Sequence, residues 1–185
     1  MGFPLLRQRF VVWAALWGVA EGFLFFIVPD VLVSFLALRR GWREAMLTSL
    51  VAALGAIIGV FLMWQLSVAA PKTAVAMVEA LPGITPEMIT SFGMMLLHEP
   101  LLPSLLIASI VGVPIKIAAM MGHYLDLSLI EFLLVTPLAR LPRFIAVGLG
   151  VFFLSRLAAR WLGKEAMTLL LALFWIVFYG AFWLL

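Results

Sequence analysis

"AEGFLFFIVPDVLVSF", residues 20–35, places Glu21, Pro29 and Asp30 inside one of the most apolar stretches of a very apolar chain. A charge at the centre of a bilayer costs about 2.5 to 3.5 kcal/mol even on the lenient insertion scale, so ionisable residues there face a cavity or a partner and mark a functional pathway. Pro29 removes a backbone donor and kinks or ends its helix, which frees carbonyls that only protein or water can satisfy at that depth. Asp30 follows the break directly and is placed either to cap the helix that resumes there or to act chemically. Glu21, set among Trp17, Val19, Phe23 and Phe25, has to pair with a cation, contact water or hold a proton.

The rest of the chain is built to match. Of 185 residues 66% are hydrophobic and 11% charged, with a mean hydropathy of +1.22. A soluble domain carries about 25% charged residues, so these values describe a polytopic membrane protein. Windows at Ala45 to Leu66, Phe144 to Leu162 and Ala166 to Leu185 match the roughly 20 apolar residues needed to cross a hydrocarbon core. The first apolar run lacks a small-x-small cleavage site and continues to Leu38, so it reads as retained structure rather than a signal peptide. No cysteine is present, which removes disulfides, thiolate metal sites and a thiol nucleophile. The net charge of +3 sits in residues flanking apolar segments, where membrane topology accounts for it better than nucleic acid does.

We read the whole of 1–185 as one membrane domain, with a first half-repeat over 10–66, an external polar connection over 67–100, a second half-repeat over 101–162 and an extra C-terminal transmembrane helix over 166–185. Arg7, Arg9 and the corner "RRGWR" (39–43) prefer the cytoplasm, so the block 10–38 should enter the membrane and return. The span 45–66 then crosses outward. If 144–162 crosses back to the second basic corner at Arg156, Arg160 and Lys164, the block 101–138 starts and ends outside and forms a second, inverted hairpin before "ARLPR" (139–143). This predicts a cytoplasmic N-terminus and an external C-terminus in a multi-pass protein of the cell membrane. "VPDVLVSFLAL" from Val28 and "VPIKIAAMMG" from Val113 echo one another about 85 residues apart, as inverted repeats with broken helices do in transporters. Ordinary spans with proline kinks are the plainer alternative. The expected breaks are Pro29, Pro114 and Pro142.

Lys116 lies two residues after Pro114, and Arg140 and Arg143 bracket Pro142. Three cations near a broken helix suit an anionic headgroup, since guanidinium forks match phosphate oxygens; Arg140 and Arg143 are otherwise read as snorkelling to the outer interface. Asp126 and Glu131 are less deeply placed, and His98 and His123 are too isolated for a metal site. Gly55 and Gly59 in "GAIIG" predict close helix packing, inside the protomer or in a homo-oligomer. Neither GxSxG with a partnered histidine nor HExxH nor a Gly-rich phosphate loop occurs, so no enzyme chemistry and no cofactor is expected.

With Glu21, Pro29, Asp30 and "GAIIG" in that order, and "GVPIKIAAMMGHYLDLSLIEFLLVTPLARLPRFIAVGLG" at 112–150, the sequence resembles the DedA family of SNARE-associated or VTT-domain membrane proteins. Pro114 to Lys116 and Arg140 to Arg143 are most similar to its short YqaA-like branch. The likeness covers roughly 15–160. The chain departs from longer members in its short Glu21 to Asp30 interval and in having Val-Pro-Asp where they have Pro-Gly-Asp/Glu. The resemblance implies an all-α integral membrane protein with two inverted re-entrant helical hairpins plus spanning helices. It also implies movement of lipids between leaflets: polyprenyl phosphate carriers such as undecaprenyl phosphate in a bacterial inner membrane, or phospholipid scrambling, with proton-motive force as a driver.

The function expected is therefore a lipid transporter or flippase for an anionic phospholipid or polyprenyl phosphate. Lys116, Arg140 and Arg143 would bind the phosphate, while Glu21 and Asp30 would couple to protons. Its rivals are a proton- or ion-coupled transporter of a small soluble solute and a non-transporting membrane scaffold. A lipid route needs a cavity that opens sideways to the bilayer, a solute route can be closed all round, and a scaffold needs no cavity.

Overall fold

Apolar composition with few strand-favouring alternations leaves the backbone one way to satisfy its polar groups within a segment, which is the α-helix. The computed structural model describes residues 3–184, all of whose regular structure is helical. Positions 1, 2 and 185, and the side chain of Arg7, which entered the topology count, lie outside the described residues.

Among the described residues three helices are long and apolar enough to span a bilayer: α3 (Trp42–Ala69), α8 (Leu129–Ala158) and α9 (Lys164–Leu184). The chain is thus an integral membrane protein in its architecture. α1 (Phe3–Phe23) packs along α3 with the two running in the same direction, because Ala15 meets Gly55 and Val19 meets Gly59. The contact works through small residues on both sides. A Cβ on Gly59 would sit 2.8 Å from the Cα of Gly22, and a Cβ on Gly22 would sit 2.8 Å from the carbonyl oxygen of Ala56. Gly18 and Gly55 likewise face backbone, so two four-residue glycine spacings interlock and the GxxxG pair acts within the protomer.

The first block is interrupted. α1 ends at Phe23, residues 24–29 are not helical, and α2 (Asp30–Arg40) returns to the level of the start of α3 through the single residue Gly41, whose φ of 97° places it in the left-handed region. Val33 and Ala37 of α2 pack with Ala45 of α3 in a small core.

The second block is also interrupted, and is more deeply embedded. α6 (Leu101–Val111) ends at Gly112, and α7 (Ile115–Met121) restarts after Pro114. Together with α3, α4 (Pro71–Glu79), α5 (Pro86–His98) and α8 they form the main core, around Met63, Trp64, Leu105, Ile117 and Phe132. The ends of α3 and α8 pair in opposite order: Trp64 lies against Phe132, with centroids 5.6 Å apart, whereas Gly148 lies against Ala45.

Two expectations are corrected. Pro142 is not a break and "ARLPR" is not a corner, since α8 runs unbroken through both Pro137 and Pro142, and the span expected at 144–162 is the second half of a helix that begins at Leu129. A proline costs a helix one hydrogen bond and a steric adjustment, and neighbouring helices and hydroxyls compensate at membrane depth. The carbonyls freed here are those of Leu133 and Leu138, four residues before Pro137 and Pro142. The connection 67–100 is largely helical rather than loop. Pro71 and Pro86 each open a helix, where a missing N–H is harmless, and Ala74, Val78, Phe92 and Leu96 bury apolar faces on the core.

Candidate functional site

Both interruptions reach the same place. The five charges that the sequence puts at membrane depth converge there, and four of them are almost fully buried: Glu21 (1% exposed), Asp30 (0%), Lys116 (2%) and Arg140 (1%). Arg140 Nη2 lies 2.8 Å from Glu21 Oε1, and Arg143 Nη2 lies 2.7 Å from Asp30 Oδ2. Two acids from the first block are thus paired with two arginines three residues apart on one face of α8.

Each pair has a further anchor. The Arg140 guanidinium sits over the Phe144 ring, 5.1 Å from its centroid. Arg143 Nη1 donates to the carbonyl of Ser109 at 2.9 Å, in the last turn of α6, where a cation is favoured by the helix dipole. Arg143 is the most accessible member, with its side chain 19% exposed. Neither arginine snorkels to an interface, because both lie in the middle of α8. Asp30 opens α2 without making a capping hydrogen bond, and its carboxylate pairs with Arg143.

Lys116 has a different role from its neighbours. Its Nζ donates to the carbonyl of Phe25 at 2.9 Å, so the second block supplies a cation to the unwound backbone of the first. Two other side chains complete that repair. Trp17 Nε1 donates to the carbonyl of Ile27 and the Val28 N–H donates to the Tyr179 hydroxyl, each at 2.8 Å. Irregular backbone at this depth is tolerable only with such partners.

The groups surround a cavity of about 240 Å³. Glu21, Lys116, Arg140 and Arg143 supply its polar wall. Residues of both breaks, the connection at Leu81 to Ile84, and Phe178, Tyr179 and Phe182 of α9 supply the remainder. Inside the cluster Glu21 Oε2, Asp30 Oδ1 and Arg140 Nε are buried without a hydrogen-bond partner among the described residues. The site therefore holds hydrogen-bonding capacity beyond its two ion pairs.

Asp126, in the turn after α7, and Glu131, in the exposed first turn of α8, lie outside this cluster, as do His98 and His123. Tyr179 escaped the sequence reading. Its only signal was a hydroxyl within the aromatic run "FWIVFYGAFW", which reads equally well as an interfacial belt.

No protein-family model, curated protein or solved structure matches the chain.

Proposed function

We propose that the protein is a lipid transporter that moves an anionic phospholipid or a polyprenyl phosphate between leaflets. The observation that carries this reading is the convergence of Glu21, Asp30, Lys116, Arg140 and Arg143 where the two broken segments meet beside one cavity. A phosphate cannot cross hydrocarbon unpaired. Arg143, already shared between Asp30 and the Ser109 carbonyl, is the cation a phosphate reaches first, and its exchange from carboxylate to phosphate leaves Asp30 to take up a proton. Glu21 and Arg140 repeat that arrangement deeper in the wall. The tail would stay in the membrane beside α9, an aromatic helix with little of its surface buried that supplies Phe178, Tyr179 and Phe182 to the cavity wall.

In this reading the 24–29 and 112–114 interruptions are the tips of two re-entrant hairpins that enter from opposite faces as an inverted repeat. The face bearing Arg39, Arg40, Arg43, Arg156, Arg160 and Lys164 is cytoplasmic by the positive-inside rule, in a bacterial cell membrane. The DedA-like order of motifs supports the same assignment.

The test reconstitutes the full chain in liposomes and follows leaflet exchange of labelled undecaprenyl phosphate and of phospholipid. Exchange above the empty-vesicle rate, lowered by Glu21→Gln, is the expected result. Exchange at the empty-vesicle rate for every lipid tried overturns the proposal and favours a solute transporter or a scaffold.

A further inference from the structure

A second cavity, of about 600 Å³, lies at the opposite end of α2 from the charge cluster, between the α2–α3 corner, the end of α8 and the start of α9. Arg39, Arg40, Arg156 and Lys164 line it together with Ser155, and among the described residues no carboxylate does. One of the four cations is compensated from outside: Arg39 Nη1 pairs with Glu165 at 2.7 Å and also donates to Thr168. Two others are held by rings. Arg40 sits 4.4 Å over Phe10 and Arg156 sits 5.1 Å over Phe152. Ring stacking orients a guanidinium without neutralising it, and among the described residues no ion pair joins Arg40 or Arg156 to a carboxylate.

Topological charges have no need to converge on one cavity. These do, and the cavity adjoins an apolar groove of about 260 Å³, with which it shares Leu38, Ser155, Leu162 and Met167. Leu154 and Leu170 line that groove while remaining 66% and 52% exposed, so it opens on the lipid-facing surface of α8 and α9. A cationic chamber beside an open apolar groove matches one molecule with an anionic head and a hydrocarbon tail.

We infer that this is a docking site for an anionic phospholipid with an unshielded phosphate, of the phosphatidic acid type, separate from the buried cluster. Arg40, Arg156 and Lys164 take the phosphate oxygens, with Arg156 and Arg40 offering paired N–H groups and Lys164 a point charge. The first carbons of the tail lie along Leu154 and Leu170. Basic pockets between membrane helices are suited to anionic headgroups in this way. The assignment does not depend on transport, because it uses none of the residues of the 240 Å³ cavity.

The chain contains no cysteine, so a single label can be placed without removing native thiols. Leu154→Cys carrying a bimane is put into nanodiscs of phosphatidylcholine with a small fraction of lipid bearing a nitroxide near the head of one chain. Quenching by spin-labelled phosphatidic acid at least about fivefold stronger than by spin-labelled phosphatidylcholine is expected from the attraction of the basic residues. The preference disappears in Arg40→Gln/Arg156→Gln, persists in Arg156→Lys, and is absent for a bimane at Ile110→Cys, an exposed position on α6. Equal quenching by the two lipids overturns the inference, and so does a preference that survives the double glutamine variant. Full relief by millimolar inorganic phosphate makes this a soluble-anion site and overturns the lipid assignment. Protection of the bimane from both lipids, with a dimer trapped by cross-linking, assigns the groove to a second copy and overturns it too.

Discussion

The two interruptions that meet at the charge cluster end their helices alike but differ in how the backbone beyond is held, the N–H groups of Leu24 and Phe25 both donating to the carbonyl of Ala20 in the first. The break at 112–114 is local: Gly112 takes a φ of 96°, its N–H and that of Val113 both donate to the carbonyl of Ala108, and Pro114 starts the next helix. This is a glycine-terminated helix end followed by a proline restart, and what reaches it from elsewhere is Arg143 of α8, on the Ser109 carbonyl in the last turn of α6. The break at 24–29 is held from a distance, by Trp17 of α1, Lys116 of α7 and Tyr179 of α9. The first break is therefore the one whose shape depends more on the positions of other helices. If the protein moves lipid as proposed, the first break suits a moving part and the second a fixed seat.

Substitutions that unseat the first break should accordingly exceed those at the second. The largest effect belongs to Arg140→Ala, which leaves Glu21 buried without its cation. It should cost about 3 to 5 kcal/mol, seen as loss of the folded species on thermal unfolding in detergent, with partial recovery when Glu21→Gln is added. Lys116→Met comes next, because it strands the Phe25 carbonyl; a loss of about 1 to 3 kcal/mol is expected in the same assay. Tyr179→Phe removes the acceptor for the Val28 N–H and should cost about 1 kcal/mol. Its more telling readout is amide hydrogen exchange, which should rise across 25–29 and stay unchanged at 112–114. Equal changes in both segments would erase the distinction between them. Gly112→Ala should have the smallest effect, about 1 kcal/mol from the left-handed backbone, and should not alter exchange at 25–29.

The charges and the first and second breaks were legible because burying an ion or a proline at membrane depth carries a cost that sequence alone exposes, as Glu21, Asp30, Lys116, Pro29 and Pro114 do. The pairing of α1 with α3 was half legible. Gly55 and Gly59 were visible, but the matching Gly18 and Gly22 gain their meaning only when the two helices lie side by side. Pro142 misled, because a proline has the same local signature whether it ends a helix or sits inside one, and its surroundings decide the outcome. The partners of the unwound backbone were not legible at all. Tyr179 lies 151 residues from Val28, and a single hydroxyl in an aromatic run carries no local sign of what it will bind.

The claim that the buried cations serve a lipid phosphate is tested most directly at Arg143, the most accessible of them and one that leaves the Glu21 and Arg140 pair intact when changed. In vesicles containing wild type or Arg143→Gln, each first shown to unfold cooperatively, leaflet exchange of labelled polyprenyl phosphate is followed against that of phosphatidylcholine. A folded Arg143→Gln protein that has lost at least about tenfold of the polyprenyl phosphate rate, the effect of one charge-assisted contact, is the predicted result. An unchanged rate in that folded variant would contradict it.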